Sequence, residues 1–268
     1  MGLKPTRKVA ATTKTAWNKS AEWYDEYLEA GDSYQARVIL PNLLRLLRLR
    51  RGEKILDLAC GQGFFAREFA SAGVQVTGAD AAENLIKLAQ QKNPARHPSA
   101  ALGTTLRVEF LVAPAHHTGL AAQSFDKIAL ISAIQNIHNP DEVLKECARL
   151  LKPDGSIHIV LNHPAFRIPG KSSWDYEGTE QIRKISGYLS ESKATIRMHP
   201  GKDPGAVTYS YHRPLQTYFK WLAHAGFAVT GLEEWISDRT SASGTRAAAE
   251  NKARKEIPLF MYIEATKR

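Results

Sequence analysis

The stretch Ile55-Leu56-Asp57-Leu58-Ala59-Cys60-Gly61-Gln62-Gly63-Phe64-Phe65 restricts what this chain can fold into more than any other. An apolar run of strand length meets a Gly-x-Gly turn, and a helical pattern follows. Strand, glycine turn and helix in that order make a small-molecule cradle. The glycines let a ligand approach the backbone, and the helix N-terminus offers free N–H groups.

Such a strand needs a sheet, and the following sequence supplies one. Strands are predicted at Lys54–Leu58, Val74–Ala79, Leu106–Val112, Phe125–Ile131 and Ser156–Leu161. Between them, helical patterns cover Gly63–Ala72, stopped by Gly73, and Glu83–Lys92; a third starts at Pro140-Asp141 and buries Val143, Leu144, Cys147, Leu150 and Leu151. Asn93–Thr105 reads as a polar loop and Pro153-Asp154-Gly155 as a turn. The alternation then stops. About fifty residues, Asn162 to Tyr211, carry only short strand-like pieces such as Ala194–Met198 and Ala206–Tyr211. That is too long for a plain connection and suggests a lid or substrate insertion. A helix at Pro214–Ala225, a strand at Phe227–Trp235, a loop with a short basic helix over Ser237–Glu256 and a strand at Pro258–Ala265 complete the chain.

Ahead of the cradle, residues 1–15 read as a disordered basic tail. Residues 16–30 and Tyr34–Leu49 read as helices, the second kinked at Pro41 and ended by Gly52. The expected fold is α/β: a Rossmann-like, doubly wound, seven-stranded sheet, mostly parallel, with one antiparallel strand near the C-terminus. Residues 16–268 form a single domain, with an N-terminal helical cap at 16–51 and the lid insertion after the fifth strand at 163–212.

At 268 residues and 43% hydrophobic content the chain can bury a full core. No apolar run approaches the roughly 20 residues of a membrane span, and no secretory signal is visible. Two cysteines, Cys60 and Cys147, form no metal-spacing pair, so no metal is expected and a reducing, cytoplasmic setting is. The net charge of +9 raises nucleic acid as a partner, ranked below a small-molecule substrate because the charges are dispersed.

The glycines alone leave a dinucleotide open, since Ala66 is permitted at the third fingerprint position. Asp57 is the informative residue. An acid inside an apolar strand, just before the turn, repels pyrophosphate and suits an ammonium group. Asp80, closing the second strand, is placed to accept hydrogen bonds from two ribose hydroxyls. An amine and a ribose without phosphate describe S-adenosylmethionine.

Asp57-Leu58-Ala59-Cys60-Gly61-Gln62-Gly63, with Asp80 after Val76-Thr77-Gly78-Ala79, resembles the class I S-adenosylmethionine-dependent methyltransferases. The resemblance continues through Ser124-Phe125-Asp126 and Leu150-Leu151-Lys152-Pro153-Asp154-Gly155. Trp23-Tyr24-Asp25 is similar to the N-terminal helix of the ubiquinone/menaquinone-biosynthesis-like group, where an aromatic approaches the cofactor. The resemblance implies that Gly61 and Gly63 pass under the methionine part, that Ala59 is also a cofactor-binding residue, and that Asp57 holds the ammonium, directly or through water. Asp80 would bind the ribose, with Ala81 beside the adenine. The loop Ala113-Pro114-Ala115-His116 would meet the adenine edge, with Pro114 where many relatives carry an acid, so that the Ala115 backbone or His116 substitutes. Ile131, Ser132 and Gln135 would line the methyl side, and Tyr24 would approach from the cap.

Methyl transfer belongs beyond the carboxyl ends of the fourth and fifth strands. His138 and His163 fall there and are the candidate general bases. In the insertion, Arg167, Trp174, His199, Tyr211 and Arg213 are the candidate substrate residues, suited to an aromatic or anionic acceptor. The leading expectation is a small-molecule methyltransferase. An RNA methyltransferase comes second, a non-catalytic S-adenosylmethionine-binding protein third and a nicotinamide oxidoreductase last.

Overall fold

A computed structural model describes residues 15–92, 97–99, 104–106, 108–199 and 203–268, without the side chains of 97–99, 104–106, 199, 203 and 204. All of the expected tail but Thr15 lies outside the described residues, and so does the His199 side chain.

Apolar runs buried on both faces make the central strands, as a parallel sheet covered by helices requires. The strands are β1 (Lys54–Leu58), β2 (Gln75–Asp80), β3 (His97–Ser99), β4 (Thr104–Leu106), β5 (Val108–Val112), β6 (Phe125–Ile131), β7 (Leu151–Asn162), β8 (Ser172–Glu177), β9 (Glu180–Ile185), β10 (Ser192–His199), β11 (Asp203–His212), β12 (Phe227–Trp235) and β13 (Phe260–Lys267). Seven form one sheet in the order β12-β13-β7-β6-β1-β2-β5. Its pairs are parallel except those of β13, which runs antiparallel to both β7 and β12. The single antiparallel strand near the C-terminus is as expected. The loop expected over 93–105 contains the short antiparallel pair β3–β4.

Strand alternation divides the core. Leu56, Leu58, Ile128, Leu130, Ile157 and Ile159 face one side, where α5 (Pro140–Leu150) and α6 (Leu215–His224) cover them. Ile55, Ala129, Ile131 and Val160 face the other, against α2 (Leu40–Leu47) and α3 (Phe64–Ser71). A small third cluster joins α1 (Ala21–Glu29) to α4 (Glu83–Lys92) through Ala21, Leu85, Trp17 and Tyr24. The remaining helix is α7 (Ala247–Glu256).

Four local expectations change. Residues 16–30 split into a 3₁₀ turn, Ala16–Ser20, and α1, because the Thr15 hydroxyl caps the Trp17 amide. Pro41 lacks the amide an α-helix needs there, so Gln35–Ile39 widens into a π turn before α2. Arg48, left-handed at φ +45°, ends α2 in place of Gly52. The Pro153-Asp154-Gly155 turn is a bulge within β7: the register with β6 jumps from Phe125↔Leu151 to Lys127↔Ser156. Residues 163–212 build two antiparallel hairpins, β8–β9 and β10–β11.

Candidate active site

Two clefts open beyond the carboxyl ends of β1, β2 and β6. The first, about 470 Å³, is bordered by Tyr24, Ala59, Gly61, Asp80, Ala81 and Ala113 and continues along Pro114, Ala115, His116, Ile131, His138 and Tyr211. Eight of the eleven expected cofactor residues therefore converge, together with His138, an expected base, and Tyr211, an expected substrate residue. The second cleft, about 480 Å³, lies between the sheet end and the insertion and is bordered by Gln135 and Arg167. Trp17, Ser132 and Asn136 line both.

The glycine turn is held by Asp80. Its carboxylate accepts the Gly61 amide at 2.9 Å and the Ala82 amide at 2.8 Å, tying the end of β2 to the turn after β1. Gly61 adopts φ +57°, and a side chain there would meet the Tyr24 ring at 3.5 Å. Two non-glycine residues on the cleft wall, Ala59 at φ +59° and Ser132 at φ +53°, are also left-handed. Such strain costs of order 1 kcal/mol or more and persists where surrounding contacts dictate it.

Asp57 lies beneath the turn, 1% exposed. Its Oδ2 has no hydrogen-bond partner. Burial, and then the Asp80 charge, push its pKa up to about 8, while the Ala66 amide lowers it. Burial raises Asp80 as well, opposed by the backbone amides it accepts. Among the described residues neither carboxylate has an ion-pair partner. A buried carboxyl, Asp57, and a half-buried one, Asp80, without a cation beside a glycine turn fit a ligand that brings positive charge and hydroxyl donors.

Some expected residues stand elsewhere. Gly63 caps α3 and does not border the cleft; φ +82° and the Phe110 ring, 2.8 Å from where a Cβ would sit, demand glycine there. Gln135 faces the second cleft, its amide N–H bound to the Ser132 carbonyl at 2.9 Å. His163 borders neither cleft. Its Nε2–H donates to Glu234 at 2.6 Å, and Nδ1 accepts the amides of Ala165 and Phe166 at 3.2 and 3.3 Å. Burial lowers its pKa against the opposing pull of Glu234, consistent with the neutral ring these bonds describe. Trp174 is part-exposed and stacks under Arg183 at 5.0 Å. Arg213 sits behind the first cleft, donating to the Ile137 and His138 carbonyls at 3.1 and 2.8 Å. His138 in turn lies 5.4 Å from the Tyr211 ring.

Trp17, Asn136, Gln35 and Arg183 were not singled out by sequence. Trp17 reads there as one apolar face residue among several. Arg183 lies in the insertion, where no periodicity marks it.

The comparisons with known proteins agree with this geometry. Residues 56–159 match the family model described as "Methyltransferase domain". The ubiquinone/menaquinone biosynthesis C-methyltransferase UbiE of Haemophilus ducreyi is 28% identical over 169 residues, 58% of this chain and 61% of that one. A ubiquinone biosynthesis O-methyltransferase of Xanthomonas oryzae pv. oryzae is 30% identical over 138 residues, 50% of this chain and 52% of that one. The chain thus spans between half and two thirds of the length of these curated relatives. In structure, an S-adenosylmethionine-dependent methyltransferase from Mesorhizobium loti superposes with a TM-score of 0.66 over 88% of this chain and 99% of that one, at 21% identity. A 1,6-didemethyltoxoflavin-N1-methyltransferase of Burkholderia thailandensis, with S-adenosylhomocysteine bound, superposes at 0.53 over 98% and 93%, at 16% identity. Strand order, glycine turn and matched domain converge: residues 56–159 match a methyltransferase domain, and the chain is similar to the class I S-adenosylmethionine-dependent methyltransferases of the ubiquinone/menaquinone-biosynthesis-like group.

Proposed function

We propose that this protein methylates a small-molecule acceptor with S-adenosylmethionine as donor. The observation that carries the reading is the pair of cation-free carboxyl groups at the glycine turn, Asp57 buried and Asp80 half-buried on the cleft wall. When bound, S-adenosylmethionine supplies an electrophilic methyl group on a sulfonium. Asp80 accepts from the ribose hydroxyls, and Asp57 holds the ammonium directly or through water. Ala59 and Gly61 support the methionine part. Ala81, Ala113 and Pro114 offer an apolar face to the adenine, with Ala115 and His116 at its edge. Tyr24 and Trp17 cover the cleft and exclude water. His138, fixed through Arg213 and beside Tyr211, is the residue for removing an acceptor proton. His163, with both ring nitrogens engaged away from the clefts, anchors the start of the insertion.

Two observations support a small molecule over RNA. The curated relatives act, by name, in ubiquinone and menaquinone biosynthesis. Among the described residues, the basic helix α7 directs Lys252 to Glu180 and Arg254 to Glu250. Residues 163–212 serve in this reading as the acceptor-binding part of one domain.

Calorimetric titration tests the donor site. S-Adenosylhomocysteine is expected to bind more tightly than NADH, and Asp80→Ala to weaken it by about thirtyfold or more, as loss of charge-assisted hydrogen bonds worth ~2 kcal/mol predicts. Preference for NADH, or unchanged affinity in the variant, refutes the assignment.

A further inference from the structure

The second cleft carries a charge pattern that the donor site does not explain. Arg167 donates from Nη1 to the Asn162 side chain at 2.7 Å and lies 5.2 Å over the Phe260 ring. Arg183 donates to the Phe166 carbonyl and the Ser172 hydroxyl, both at 2.8 Å. Both line this cleft. Arg37, Arg45, Arg67 and Arg149 each meet a carboxylate within 3 Å, whereas Arg167 and Arg183 meet none among the described residues. Burial lowers the pKa of both below the usual guanidinium range, and Arg183 adds to the effect on Arg167, so two like charges face one cavity. An anion between them relieves both the desolvation and the mutual repulsion.

Two further groups define the rest of the ligand. The Oε1 atoms of Gln35 and Gln135 are buried and have no hydrogen-bond partner, and both residues line the cleft. A buried amide oxygen without a donor is unfavourable, so each position suits an O–H or N–H. Gln135 is tethered to the Ser132 carbonyl, and Ser132 belongs to the wall shared with the donor cleft. Trp17, Tyr27, Tyr34 and Phe260 supply flat apolar walls, and about 480 Å³ accommodates a ring compound.

We infer that the acceptor is an aromatic carboxylate bearing a hydroxyl or amino group, with Arg167 and Arg183 receiving the carboxylate and Gln135 the donor group beside the shared wall. Calling this ligand the acceptor rests on the methyltransferase reading; the binding itself does not. An aromatic ring spans the distance between an anion site in the insertion and a donor group at the end of β6. A neutral or purely aliphatic ligand leaves the arginines uncompensated.

The test uses the full chain, with and without S-adenosylhomocysteine, and three probes: 3-hydroxybenzoate, its neutral isostere 3-hydroxybenzamide, and benzoate. Calorimetry is expected to show the hydroxy acid bound at least about tenfold more tightly than the amide. Arg183→Gln should abolish that preference without changing S-adenosylhomocysteine affinity, and Arg183→Lys should restore part of it. Gln135→Leu should remove the advantage of 3-hydroxybenzoate over benzoate. Unchanged S-adenosylhomocysteine affinity also certifies that each variant is folded. Equal binding of acid and amide by wild type, or a preference that survives in both Arg183→Gln and Arg167→Gln, overturns the inference. Failure of S-adenosylhomocysteine to bind while the acid preference holds overturns the methyltransferase reading and leaves the carboxylate site standing.

Discussion

Replacing Asp57 by asparagine should make the ligand-free protein more stable at alkaline pH while weakening the ligand that the residue serves. The carboxyl titrates near 8 when folded and near 4 when unfolded, so the unfolded chain releases this proton first as pH rises. The stabilising contribution of protonated Asp57 is complete below about pH 4 and lost progressively as pH rises through about 8. Between pH 6 and 8 that loss amounts to about 2 kcal/mol, or roughly 5 °C in midpoint for a chain of this size. Asparagine cannot ionise, so its variant omits this part of the alkaline decline. Chemical denaturation of both proteins at pH 6 and pH 8, without ligand, measures the difference in slope. A second reading comes from binding. At pH 7 the carboxyl is about nine-tenths protonated, and an ammonium held against it expels that proton. S-Adenosylhomocysteine titrated in buffers of different ionisation enthalpy should release close to one more proton from wild type than from Asp57→Asn. Parallel stability slopes in the two proteins, or identical proton release, would show that burial does not raise the Asp57 carboxyl.

Two other substitutions separate architecture from chemistry. His163→Ala removes the Glu234 contact and leaves the Ala165 and Phe166 amides without their acceptor, so it should cost about 1–3 kcal/mol in denaturant unfolding with S-adenosylhomocysteine affinity unchanged; lost affinity without lost stability would return His163 to the site. Gly78→Ala places a Cβ 2.5 Å from the Phe110 ring and 3.0 Å from Cys60 Sγ, so about 1–3 kcal/mol of overpacking should appear as a lowered melting temperature, and an unshifted midpoint would mean that Phe110 yields freely.

The first cleft, where the proposed donor would sit, is bordered by residues whose signals in the sequence are local. Asp57, Gly61 and Asp80 fall within two strand–turn units, and the turn that places Gly61 is also the turn that Asp80 ties down. The bounds of α4, Glu83–Lys92, follow from an uninterrupted helical pattern. Gly63 resembled a ligand contact because glycine has two separate uses; here it makes room for Phe110. The second cleft, the proposed acceptor site, is assembled from residues far apart in the chain. Tyr34, Gln135, Arg183 and Phe260 meet in one cleft, and no periodicity links them. His163 stood at a strand end, as a base would. Its commitment to Glu234 depends on β12 lying beyond β13, a neighbour relation that only the sheet order supplies.

The segment between β7 and α6 is clamped at both ends. His163 donates its amide to the Leu259 carbonyl, and Arg213 grips the Ile137 and His138 carbonyls at the far end. With entry and exit fixed, what lies between them is an interchangeable cassette. In the proposed reading, hairpins of other lengths and side chains exchanged there alter the choice of acceptor and leave the turn that Asp80 holds undisturbed.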